Sequence, residues 1–350
     1  MSNKEQLDKQ EKILAMQEKI SKKYGDGALI RYGSAERVAV DVIPTGVMTL
    51  DYALGCGGIP RGRIIEIYGG EQASKSTMAS VIVAQAQKNG GMAAYIDAEH
   101  ALDMSYLKNL GVDIDNLYLS QPNSGEEALD ILEKVVQSNA FDVAVVDSVA
   151  ALVSQAELAG DIGDAHIALQ ARLMSHALRK LTAIIDNSKT AVIFINQTRQ
   201  NISTTGYGGA GEVTTGGKAL KFYASMRIEL RKTEWIRKSE EVIGQKVKVK
   251  IVKNKLAPPF KVVDLELLFG KGYSTEGMLI DLAMNAGLIT RNGAWFYYLG
   301  NRIAQGKEGV RKYLQENSDL ASKLENQVLE FIKTGKVELP TERTGDEDVN

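Results

Sequence analysis

The strongest constraint on the fold is an alternation between residues 64 and 195. Short, nearly continuous apolar runs are separated by polar breaks and by segments of helical periodicity. The runs lie at 64–68, 93–96, 117–119, 143–146 and 192–195. A strand that is apolar on successive positions is covered on both faces. Such strands alternating with helices specify a parallel sheet between two helical layers. After about residue 220 the pattern changes. Residues 222–230, 246–253 and 261–267 read as successive strands, antiparallel additions to the sheet edge. From about residue 270 a small α+β unit follows, with WFYYL at 295–299 as a strand between helices. The expected class is therefore α/β, with a mainly parallel central sheet flanked by helices, an N-terminal helix and a small α+β C-terminal domain.

Residues 3–24 are mainly polar, with a thin apolar stripe of Leu7, Ile13, Leu14, Met16 and Ile20. That pattern makes an amphipathic helix, either solvated within its own domain or docked on a neighbouring subunit. No run of about 18 apolar residues occurs, so no membrane span is expected. The N-terminal MSNKEQLDKQEK lacks the apolar core of a secretory signal. The single cysteine, Cys56, rules out an internal disulfide framework and suits a reducing cytoplasm. A net charge of -2 points to no nucleic-acid role, so any such surface must come from local clustering. The final TERTGDEDVN has no apolar periodicity and more acid than base, and reads as a disordered acidic tail.

The run at 64–68 leads into GGEQASKST at 69–77, followed by a helical pattern. Strand, loop and helix are the context of a phosphate-binding loop. Its N–H groups, from Gly69 and Gly70 through Glu71, Gln72 and Ala73 to Ser74, would surround phosphates at a helix N-terminus. Lys75 would reach the β- and γ-phosphates, and Ser76, followed by Thr77, would face Mg²⁺. The second glycine of the pattern is replaced by Ser74. A residue other than glycine in a left-handed conformation costs about 1–2 kcal/mol, and its hydroxymethyl group could crowd a phosphate.

Three further runs end in polar residues. VAVVDS ends in Asp147, placed to stand beside Mg²⁺; AAYIDAEH ends in Asp97, Glu99 and His100; VIFINQ ends in a polar pair with Gln197. Glu99 is a candidate general base for a water attacking a γ-phosphate, and Gln197 a candidate γ-phosphate sensor. Parallel α/β sheets bind ligands beyond the carboxyl ends of their strands. Lys246, Lys248 and Lys250 alternate with valines on one strand face; the phase then shifts and sets Lys253 and Lys255 on the opposite side.

With these motifs in order, the chain resembles the bacterial RecA family over about residues 10–335. The most specific segments are IEIYGGE, IDAEHALD, DNLYLSQP, VVDSVAAL, FINQTR, TTGGKALKFYAS and VKNKLAPPFK. The resemblance implies a polymerisation helix over 1–33, an ATPase core over 34–269, a C-terminal domain over 270–335 and a tail over 336–350. It implies an ATP- and Mg²⁺-dependent helical filament that pairs single-stranded DNA with a homologous duplex, and a LexA-type repressor as a further partner. It assigns Glu99, Lys75 and Gln197 to catalysis, Asp147 and Ser76 to Mg²⁺, and Asp103 and Tyr106 to the adenine. It sends Lys253 and Lys255 to a neighbouring protomer's ATP.

Two loops would line the DNA. The first, 156–166, precedes a helix bearing Arg172 and Arg179; the second, 200–217, is rich in Gly and Thr, carries Tyr207 and ends in Gly216 and Gly217. Arg199 and Lys218 flank the second loop. Tyr207 could stack on bases, and backbone N–H groups could hold phosphates. Besides Ser74, Ala168 and His176 depart from the family, which carries Gly and Gln there. Ser74 leaves a second reading open, a DNA-binding filament protein impaired in hydrolysis.

Overall fold

The computed structural model describes residues 3–25, 28–29, 40–161, 169–200 and 212–336. Tyr207, Ala168, most of the second loop and the acidic tail lie outside the described residues. The chain divides into two compact units, Met1–Val40 and Asp41–Asn350. The first contains α1 (Asn3–Tyr24), whose Lys22 and Lys23 complement the negative end of the helix dipole. Leu7, Ile13, Leu14 and Met16 along it are exposed.

In the second unit α2 (Met48–Leu54) lies between β1 (Val42–Ile43) and β2 (Ile59–Pro60), which pair antiparallel. The alternating region follows as β3 (Ile64–Gly69), α3 (Lys75–Lys88), β4 (Ala93–Asp97), α4 (Met104–Asn109), β5 (Leu117–Ser120), α5 (Gly125–Gln137) and β6 (Val143–Asp147). It continues through α6 (Gln155–Leu158), α7 (Leu169–Ser188), β7 (Ala191–Gln200), β8 (Glu212–Thr214) and α8 (Ala219–Tyr223). Three longer strands and a short fourth come next: β9 (Met226–Lys238), β10 (Glu241–Asn254), β11 (Val262–Leu268) and β12 (Gly272–Tyr273). The C-terminal lobe holds α9 (Thr275–Asn285), β13 (Ile289–Asn292), β14 (Trp295–Tyr298), β15 (Asn301–Gln305), α10 (Gly306–Glu316) and α11 (Ser318–Thr334).

The main sheet runs β12-β11-β10-β9-β3-β7-β6-β4-β5, with β8 attached to β7. From β9 to β5 all pairings are parallel; from β9 to β12 they are antiparallel. Period-two alternation splits the apolar runs between two cores. Ile65, Ile67, Tyr95, Val143, Val145, Ile193 and Ile195 face the α3 side, while Ala94, Ile96, Ala144, Val146, Val192 and Phe194 face α5 and α7. Both helical layers are thus specified by side chains of the same strands. A third core joins the C-terminal lobe to Met48 and Tyr52 of α2. No described helix is long and apolar enough to cross a membrane.

Two expectations need correction. Residues 222 and 223 end a helix, α8, and the strand begins only at Met226 and continues to Lys238. This strand also pairs parallel to β3, so the antiparallel part of the sheet starts one strand later, at β10. The phase shift near Lys253 is present: a bulge between Ile251 and Lys253 interrupts the alternation that exposes Lys246, Lys248 and Lys250.

Candidate functional site

Parallel register brings the polar strand ends to one edge. Gly69 of β3 pairs with Gln197 of β7, and Asp97 of β4 with Asp147 of β6. The loop after β3 closes over this edge. Glu71 to Thr77 together with Glu99, Asp147 and Gln197 line one cavity of about 390 Å³. Gly69 has a packing reason to be glycine, since a Cβ there would collide with the Leu230 carbonyl of β9.

Gln72 and Ser74 both adopt left-handed backbone, with φ of 55° and 63°. Ser74 therefore takes the conformation that favours glycine, at the N-cap of α3. Its hydroxyl is engaged by β10, where Gln245 Nε2 donates to Ser74 Oγ at 2.8 Å and to the Gln72 carbonyl at 3.0 Å.

Lys75 is nearly buried and donates from Nζ to the Gly70 carbonyl at 2.7 Å. Burial pulls its ammonium below the usual range, while Asp147, Glu99 and Glu71 oppose that shift. Asp147 is raised, chiefly by burial, against hydrogen bonds from the Ser76 and Tyr95 hydroxyls; the Tyr95 bond is 2.8 Å long. Glu99 Oε1 accepts from the Ser148 hydroxyl and, at 2.9 Å, from Gln197 Nε2. The candidate base and sensor are thus in direct contact. Asp97 instead shapes the turn after β4, where it accepts from the Ala101 and Leu102 N–H groups and from Gln121.

Asp103 caps α4 by accepting from the Ser105 and Tyr106 N–H groups, and Tyr106 hydrogen-bonds Thr77 at 3.0 Å. Thr77 and Tyr106 line a second cavity of about 530 Å³ beside the first, with Ser74, Trp235, Gln245 and Phe269. Trp235 and Phe269 escaped the sequence reading; isolated aromatics at strand ends have no spacing that marks them.

A buried polar network also escaped it. Glu66 and Asn196 are fully buried, and Arg227 nearly so. Arg227 Nε pairs with Glu66, whose other oxygen accepts from Asn196 Nδ2 at 3.0 Å. Asn196 also holds both the carbonyl and the hydroxyl of Thr215, the residue after β8. The strand feeding the phosphate loop is therefore wired to the base of the second loop.

Arg172, Arg179, His176, Lys218 and the exposed Phe222 line a shallow cavity of about 590 Å³ between α7 and α8. Arg199 is exposed on β7. Gly216 and Gly217 have φ of 76° and 80°, and a Cβ would press on Val149 and Ala171 respectively. Packing and backbone alone thus demand glycine there. Lys253 is folded back onto α8, donating to the Lys221 and Phe222 carbonyls at 2.7 and 3.0 Å. Lys255 is near enough to help lower the Lys253 ammonium, after burial, and lines a cavity with Arg63, Arg179 and Tyr223.

Among the described residues no group of three or more His, Cys, Asp or Glu could hold a metal unaided. Ser76 and Asp147 nonetheless form an all-oxygen pair suited to Mg²⁺, which takes most of its ligands from water and phosphate.

Comparison with known proteins gives the family. The model of the RecA N-terminal domain matches residues 11–274, and that of the RecA C-terminal domain matches 277–333. The chain is 52% identical over 321 residues to Protein RecA of Heliobacterium modesticaldum, covering 91% of this chain and 92% of that one. It is 49% identical over 344 residues to Protein RecA of a Nocardioides species, covering 97% and 98%. It is 50% identical over 335 residues to Protein RecA of Trichormus variabilis, covering 96% and 93%. Strand-end chemistry, sheet order and near full-length identity converge: the chain belongs to the RecA family of DNA-dependent ATPases that act as recombinases.

Proposed function

We propose that the cavity of Lys75, Ser76, Glu99, Asp147 and Gln197 holds the triphosphate of ATP, and that hydrolysis there controls a filament on single-stranded DNA. The observation that carries this reading is the convergence of those five side chains on one cavity. The loop N–H groups and the start of α3 bind the phosphates, and Lys75 exchanges the Gly70 carbonyl for phosphate oxygen. Bound with the nucleotide, Mg²⁺ neutralises phosphate charge, and Ser76 and Asp147 are the residues that would hold it. Glu99 takes the proton of the attacking water, oriented by Ser148. No covalent intermediate on the protein is needed, because positioning and electrostatics supply the catalysis. The adenine lies in the adjoining cavity against Tyr106 and Phe269.

Gln197 must release Glu99 to turn toward a γ-phosphate. Its neighbour Asn196 is tied to Thr215, so that movement reaches the second loop. Arg172, Arg179, Arg199 and Lys218 supply the positive charge, with Tyr207 and the N–H groups around Gly216 and Gly217 as further DNA contacts. Base complementarity, not the protein, reads the sequence of the homologous duplex. Lys253 and Lys255 reach the ATP of the next protomer, and the exposed stripe of α1 docks on it. A head-to-tail contact that does not close gives a helical filament. The filament works in the cytoplasm and stimulates self-cleavage of a LexA-type repressor.

The test is ATP turnover with and without single-stranded DNA. The native chain is expected to show DNA-stimulated turnover. Lys75→Ala should lose nucleotide binding, while Glu99→Gln should bind ATP and DNA but turn over about 10²–10⁴-fold more slowly. Nucleotide binding without turnover by the native chain would sink the hydrolytic reading and leave a binding-only filament protein.

A further inference from the structure

We propose that Gln245 is a positioning residue for the phosphate loop, and that with Tyr273 it forms a polar socket for the Ser74 side chain. This rests on the reading of residues 69–77 as an ATP loop. The pattern of such loops places glycine at residue 74, where φ is positive. Here Gln72 and Ser74, two residues apart, are both left-handed without being glycine. Left-handed backbone costs each about 1–2 kcal/mol, so contacts from outside the loop have to offset it; Lys232 Nζ supplies one, to Gln72 Oε1 at 3.3 Å.

Gln245 is placed to do so. Its one amide nitrogen donates to the carbonyl of Gln72 and to the hydroxyl of Ser74, spanning both strained residues. It is only 3% exposed, so water does not compete for these bonds. Its position is fixed by the sheet. Gln245 of β10 is opposite Leu267 of β11, which is opposite Tyr273 of β12. Residues directly opposite in antiparallel pairs share a face, so Gln245 and Tyr273 stand in one row under the loop. The Tyr273 hydroxyl is buried without a hydrogen-bond partner, beside the Ser74 side chain. A serine at this position therefore meets two polar groups that a glycine would leave without it. Ser74 is a fitted part of the loop and not damage to it.

The consequence is testable by a mutant cycle on the full chain. Nucleotide affinity is read with a fluorescent ATP analogue, and KM and kcat with ATP on single-stranded DNA. Gln245→Met is expected to raise Kd and KM about tenfold, the size of one lost amide anchor, with a much smaller change in kcat. Ser74→Gly should bind nucleotide no better than the native chain. In the Ser74→Gly background, Gln245→Met should cost less than about threefold, because part of its role has gone. Gln245→Leu is close in size and has no donor in any protonation state, so it should repeat the loss; it decides the matter if Gln245→Met does not fold. Unchanged Kd and KM in the Gln245 variants would overturn the proposal. So would a tenfold tighter Ser74→Gly, which would make serine a defect. A native chain that binds no nucleotide would instead overturn the parent reading of the loop, and the two failures are distinguishable.

Discussion

Replacing Arg227 by methionine is expected to cost about 3–5 kcal/mol of folding stability, the usual penalty for leaving one partner of a buried ion pair alone. The Glu66 side chain is 0% exposed and that of Arg227 10%, so water cannot replace the lost guanidinium. Glu66 would retain the hydrogen bond from Asn196 and lose its counter-charge. The Arg227 guanidinium also lies 4.5 Å from the centre of the Tyr68 ring, a contact contributing about 0.5–2 kcal/mol. Methionine keeps some contact with the ring but supplies no charge. At about 1.4 °C per kcal/mol for a chain of 350 residues, the thermal midpoint should fall by about 4–7 °C, read by circular dichroism and checked by urea titration. Removing both charges in Glu66→Leu/Arg227→Met should restore at least half of the loss, because no unpaired charge is then buried. A single variant within about 1 kcal/mol of the native chain, or a double variant no better than the single, would refute the argument. The size of the loss separates this pair from a surface bridge such as Lys12–Asp8, whose loss is worth under about 1 kcal/mol.

Burial pushes the Asp51 carboxyl up to about 7 from 3.8, against the hydrogen bond from the Thr45 N–H. A folded pKa above the unfolded one means stability that is full below about 4 and is lost as pH rises through about 7. Asp51→Asn, neutral throughout, should therefore match the native chain near pH 4 and exceed it by up to about 4 kcal/mol at pH 8; a gap in unfolding midpoints that does not widen with pH would count against this. Gly217→Ala is expected to lose about 1–2 kcal/mol from its left-handed backbone alone, with further strain from the Ala171 contact, and to weaken single-stranded DNA binding in an anisotropy titration. On the proposal that Lys253 serves a neighbour's ATP, Lys253→Met should lower DNA-stimulated turnover about 10²-fold or more. Nucleotide binding by the isolated chain should survive it, and turnover equal to the native rate would remove Lys253 from the interface.

The parallel half of the sheet was legible because each strand is buried on both faces, which leaves a run that needs no partner to recognise. The same runs pointed to the candidate site, since Asp147, Asp97 and Gln197 fall where register aligns the strand ends, with Glu99 two residues beyond Asp97. What stayed hidden depends on pairs distant in sequence. Glu66 meets Arg227 across 161 residues and Asn196 across 130, and nothing local tells a buried glutamate from an exposed one. Residues 222 and 223 looked like strand from their aromatic character, but packing of α8 on α7 overrides that preference. Gln245 left a trace that could have been used: with Lys246, Lys248 and Lys250 facing solvent, the odd positions must face inward, and a glutamine there needs a polar partner.

The third core has a consequence for how the chain is made. Tyr52 of α2 stacks on Phe331 of α11 with ring centres 5.1 Å apart, and Met48 joins the same cluster. These partners are separated by about 280 residues, which a ribosome adding about 5–20 residues per second takes roughly 14–56 s to synthesise. For that interval α2 has left the ribosome and the surface that covers it does not yet exist. The face of Met48 and Tyr52 is then an apolar patch on a nascent chain, open to chaperones and to other nascent copies. Completion of the C-terminal lobe closes it, so a segment synthesised late finishes one synthesised early.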